Sequence, residues 1–161
     1  MKFIIALISL TLLTGKADIS EVRKLYPEAA NSKEKADAFH KLLSNVSDSD
    51  KDKSLVAYKG CSETLLSKYS GVLSGKIKHM KAGAKLIDAA VAADSDNAEI
   101  RMIRLSVQEN VPAIVGYKDK IGEDKVFLLA NWEKSGALKD YIKNFMLRSK
   151  SFTKEEKATL K

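Results

Sequence analysis

The feature that most restricts this chain is a three-and-four spacing of apolar residues, broken at intervals by Ser, Asp and Gly turns. Ala36, Phe39, Leu43 and Val46 follow it, as do Leu55, Tyr58, Cys61, Leu65 and Tyr69. Ile77, Met80, Ile87, Ala90 and Val91 continue it, and Ile100, Ile103 and Val107 repeat it again. That spacing gathers side chains on one face of an α-helix, which turns once in about 3.6 residues. No five-residue stretch alternates apolar with polar residues in the manner of a half-buried strand. The expected fold is therefore all-α, an antiparallel bundle or short helical stack of about six to seven helices.

Local signals place the boundaries. Ser20 is expected to cap a short first helix carrying Val22, Leu25 and Tyr26, which Pro27 ends. Ser32 caps a second helix, and the polar run from Ser47 to Lys53 forms a linker that caps the third, about Ser54 to Tyr69. The fourth runs from about Lys76 to Ala93 and the fifth from Ala98 to Asn110, limited by Pro112. Apolar residues on two sides of the fifth, Met102 and Leu105 as well as Ile103, make it a central helix. Gly122 opens a sixth, Leu138 to Met146 mark a seventh, and residues 149–161 form a tail expected to fray. The core is expected to hold Ile87, Ala90, Ile100, Ile103, Val107, Phe127 and Trp132.

Residues 1–17 carry a different signal. Lys2 is followed by an apolar run from Phe3 to Leu13, and Gly15 and Ala17 supply small residues at its exit. Charge, apolar core and small-residue exit in that order predict a secretory leader cleaved after Ala17. The run is shorter than the roughly 20 residues of a membrane span. Cleavage removes Lys2 and Lys16 and no acid, so the mature chain, residues 18–161, stays basic. It is expected to be a single all-helical domain in the periplasm or at the cell surface.

Met80 to Glu99 resembles the second helix of a tetratricopeptide repeat running into the next repeat. Gly83, Ile87 and Ala90 fill its small, large and small positions, and Ser95 stands where the repeat has proline. The resemblance implies that Gly83 marks a helix crossing. The segment with Glu99, Arg101, Arg104, Pro112, Gly116, Tyr117 and Glu123 to Lys125 is similar to small exported all-helical Bacteroidetes proteins of unknown function. That likeness implies export and no particular chemistry.

The residues offer little catalytic material. One cysteine excludes an internal disulfide and any multi-cysteine zinc site, and two histidines leave little for metal binding. The eight glycines are scattered and form no phosphate loop. No cofactor, metal site or catalytic residue is expected. Arg101 and Arg104 are the candidate partner-binding residues, two forks on one helix face suited to a carboxylate or phosphate. Glu99, Asp88, Glu123 and Asp124 are their possible partners within the chain.

The net charge of +7 is spread over the chain, and seven Lys or Arg fall among the 23 residues from Lys139 to Lys161. Tyr141 and Phe145, interleaved there, are spaced as core contacts, so a solvated basic face is expected and no nucleic acid is implied. The expected function is a non-catalytic interaction module of the bacterial envelope with a protein partner. Two alternatives stand beside it. One is an enzyme whose site assembles from Cys61, His79, Arg101 and Arg104; the other is a peripheral binder of anionic membrane or envelope polymer.

Overall fold

The computed structural model describes residues 17–160; the leader expected over residues 1–17 lies outside the described residues except for Ala17. Eight α-helices occur among the described residues, with no strand. They are α1 (Ile19–Leu25), α2 (Lys33–Leu43), α3 (Lys53–Tyr69), α4 (Leu73–Ala93), α5 (Ala98–Asn110), α6 (Ile121–Asn131), α7 (Lys139–Arg148) and α8 (Lys154–Ala158). Short 3-10 turns follow α1, α5 and α6.

Polar caps set most helix starts by accepting bonds from amides that have no partner within the helix. Ser32 accepts from the Lys35 amide, Asp52 from Ser54 and Leu55, and Asn97 from Glu99 and Ile100. The first helix differs from expectation. Asp18 caps it, and Ser20 lies inside its first turn as the donor to that carboxylate. The fourth helix also starts earlier than the sequence suggested, at Leu73. Gly75 falls within its first turn, where a Cβ would strike the Ser70 hydroxyl. A glycine there reads as a turn in sequence, yet it sits inside the helix, close against the Ser70 side chain.

The longest helices, α3 and α4, form an antiparallel hairpin: Gly60 faces Gly83, and the Ser67 hydroxyl donates to the Lys76 carbonyl (2.8 Å). Gly83 thus stands at a crossing, and its counterpart is Gly60. Central α5 packs against α3, α4, α6 and α7. It buries Ile100, Met102, Ile103, Leu105 and Val107 together with Glu99, Arg104, Gln108 and Glu109. Ile87, Ala90 and Trp132 also lie in the core, whereas Phe127 is only half-buried. Leu128 takes the buried position on α6, and the Phe127 ring instead carries the Arg101 guanidinium at 4.9 Å.

The tail is ordered rather than frayed. Phe152 and Leu160 are buried, Thr153 and Glu156 cap α8 reciprocally, and Lys125 pairs with Glu156 at 2.8 Å. The Ser149 and Ser151 hydroxyls both donate to Glu109 of α5, at 2.6 and 2.8 Å. These long-range contacts hold a segment whose own composition is polar and charged.

Candidate functional site

The arginine pair faces inward. Arg104 donates through Nε and Nη2 to the two oxygens of Asp124, both at 2.7 Å, and Asp124 is fully buried. Arg101 adds a bond to the same carboxylate (3.0 Å), another to Glu123, and one to the Ser95 carbonyl (2.9 Å). Asp88 lies 3.7 Å from Arg104 and accepts from the Tyr117 hydroxyl at 2.9 Å. Asp124 sits in the first turn of α6, where the helix dipole favours an acid. Burial opposes the charge on Arg104, but the bonds to Asp124 together with the charges of Asp124, Asp88 and Glu123 outweigh it and hold the guanidinium above its usual range. The cluster ties α5 to α6. Both guanidiniums are consumed by acids of this chain, so the pair is not presented to a partner.

Glu99 is not part of that cluster. Its carboxylate accepts a two-pronged contact from Arg23 of α1, at 2.6 and 2.7 Å, and a bond from the buried Tyr58 hydroxyl at 2.8 Å. At about 100° per residue, Arg101 and Arg104 lie roughly 140–200° around α5 from Glu99. It therefore faces the opposite side of the helix.

The titratable residues that sequence offered for catalysis are separated. His79 Nδ1 lies 2.8 Å from Glu63, while His40 Nδ1 faces both the Ser62 hydroxyl (3.2 Å) and Glu63 (3.9 Å). Serine and acid meet the same ring nitrogen, so no relay runs through His40. Cys61 makes no hydrogen bond to His79 among the described residues; burial pushes its thiol up to about 12. No group of three or more His, Cys, Asp or Glu among the described residues is arranged to hold a metal.

A concave feature lies elsewhere. A groove of about 1080 Å³ opens between the first turns of α4, the end of α5, the loop after it, and α7, with α3 as its floor. Leu73, Ile77 and Met80 reach it at steps of four and three along α4; Tyr141, Phe145 and Arg148 do so along α7. Pro112 ends α5 and directs Ile114 and Val115 onto the opposite lip. Leu73 is 74% exposed, Ile77 48% and Ile114 97%, so both lips present large apolar side chains to solvent. Sequence placed Ile77 on the core face of α4, yet α3, which contacts that turn through Ser67 and Lys76, leaves its side chain half exposed. At the floor, the Tyr26 hydroxyl is buried beside Ser106 and the Cys61 thiol. Burial raises that phenol well above its usual range, and raises Tyr141 to about 12. Phenols and thiol therefore stay protonated at neutral pH.

The lips were missed because nothing local distinguishes an apolar residue awaiting a partner from one awaiting the core. The one available sign was the adjacent pair Ile114-Val115 in a turn otherwise made of Pro, Gly and polar residues. No protein family, curated protein or solved structure matches this chain.

Proposed function

We propose that this protein is an exported, non-catalytic interaction module of the bacterial envelope that takes an apolar part of its partner into the groove. The observation that carries the reading is the pair of exposed apolar lips flanking one deep, largely apolar cleft. Scattered exposed apolar residues are ordinary, whereas a contiguous apolar concavity marks a binding surface. The groups within it favour binding over chemistry: a thiol and phenols held protonated offer neither nucleophile nor base near neutral pH. The arginine pair is no longer needed for recognition, because its role is to join two helices.

The test compares wild type with Ile77→Glu/Ile114→Glu as tagged baits in envelope extract. Both side chains are exposed, so the double variant is expected to fold normally while losing the partner. A partner retained equally by both, or turnover of a small substrate by the purified protein, overturns the reading. Export is checked separately by mass spectrometry of the purified chain, with Asp18 expected as the first residue. An intact Met1 refutes it.

A further inference from the structure

The chemistry of the groove's occupant follows from the charge around its mouth, and this step rests on the reading of the groove as the working surface. Four exposed cations line the cavity: Lys68 of α3, Lys76 and Lys81 of α4, and Arg148 of α7. Lys68 donates to the Ala30 carbonyl (2.9 Å) and Arg148 to the Asn144 carbonyl (3.1 Å), neither of them an acid. Lys76 and Lys81 have no side-chain hydrogen bond or ion pair among the described residues. The one acid among the described lining residues is Glu109, which is buried and already accepts the Ser149 and Ser151 hydroxyls. An apolar cleft thus opens through a rim carrying four positive charges that no carboxylate answers.

The shape narrows the choice further. Side chains at the floor are all but closed off from solvent, Cys61 at 4% and Met102 at 0% exposure, while the lips are open. The volume stands just above the roughly 300–1,000 Å³ of small-molecule sites. Met80 lines it with an unbranched, adaptable thioether that fits itself to a flexible ligand.

We infer that the groove binds a free single-chain anionic amphiphile, its acyl chain between Leu65, Met80 and Phe145 and its anionic head among the exposed cations Lys68, Lys76, Lys81 and Arg148 around the mouth. The head remains in solvated surroundings, where cations attract it without the cost of full desolvation. The chain supplies affinity by leaving water, so each added methylene tightens binding about fourfold. The cationic rim supplies the preference for an anion and makes it weaken with salt.

The experiment titrates the purified protein with dodecanoate, decanoate and dodecyltrimethylammonium, each below its micelle concentration. Expected are saturable one-to-one binding of dodecanoate and about fifteenfold weaker binding of decanoate. Dodecyltrimethylammonium should bind about tenfold more weakly than dodecanoate. Lys76→Glu/Lys81→Glu should erase that headgroup preference with an unchanged urea midpoint, since both positions are exposed. Equal affinity for the two headgroups, or binding to phosphatidylglycerol vesicles without uptake of free dodecanoate, overturns the inference. An envelope protein captured in a lip-dependent manner and not displaced by saturating dodecanoate also overturns it, while leaving the groove reading intact. Loss of every lip-dependent interaction, amphiphile and protein alike, removes both.

Discussion

Gly60 and Gly83 meet face to face where α3 crosses α4: a Cβ on Gly60 would lie 2.7 Å from the Gly83 carbonyl oxygen and 2.8 Å from the Ile87 side chain. A Cβ on Gly83 would strike the Gly60 carbonyl in return. The colliding atoms include backbone of two packed helices, so relief requires the helices to separate.

Gly60→Ala and Gly83→Ala should each destabilise the protein by about 1 kcal/mol net. Overpacking costs about 1–3 kcal/mol and dominates the roughly 1 kcal/mol that alanine gains over glycine inside a helix. Urea unfolding gives the answer. A raised midpoint in either variant would show that the crossing yields more easily than the geometry implies.

Arg104→Ala should cost about 3–5 kcal/mol, because it leaves the Asp124 carboxylate buried with most of its hydrogen bonds gone. Arg101→Ala should cost less, about 1 kcal/mol, since Arg104 still satisfies Asp124. Chemical denaturation of both variants and of Arg104→Ala/Asp124→Ala tests the coupling. The double variant should recover part of the Arg104 loss; simple additivity would refute the shared network.

Acid should weaken the fold in a defined window. Hydrogen bonds from Arg101 and then Lys120 hold Glu123 at about 2, against a usual 4.5. Between those values the unfolded chain binds the proton and the folded chain does not, so stability falls as pH drops from about 4.5 towards 2. Glu123 is half exposed, which limits its share to about 1 kcal/mol. Glu123→Gln should lower the urea midpoint at neutral pH and flatten the acid limb. An unchanged acid limb would remove Glu123 from the account.

Cys61 should be nearly inert in the native state. A thiol raised from 9.0 to about 12 by burial carries about a thousandfold less thiolate near pH 8. Labelling with a chromogenic disulfide should therefore be slow until urea unfolds the chain. Labelling of the native protein as fast as the unfolded chain would show that the groove floor opens readily.

Much of the fold was legible because the relevant forces are local. The caps at Ser32, Asp52 and Asn97, the stop before Pro112 and the two-sided apolar pattern of α5 all act within a turn or two of their own residues. The arginine cluster was half legible: a spacing of three puts Arg101 and Arg104 on one face, and Glu123 and Asp124 begin the next helix. Glu99 was misjudged although its angular position around α5 already set it apart from them. Its partner, Arg23, lies 76 residues away in sequence, and no local rule points to it.

The sequence by itself determined which face of each helix is apolar and where each helix begins and ends, to within a few residues. Only the tertiary structure decided which of those faces are covered. Ile77 and Ile103 look alike in the pattern, yet one is half exposed on a lip and the other has no exposed surface. Apolar spacing records that a side chain avoids water, and the same avoidance is met by a neighbouring helix or by a bound partner. Helix packing left one flank of the start of α4 and the loop after α5 uncovered among the described residues, and so placed the groove there.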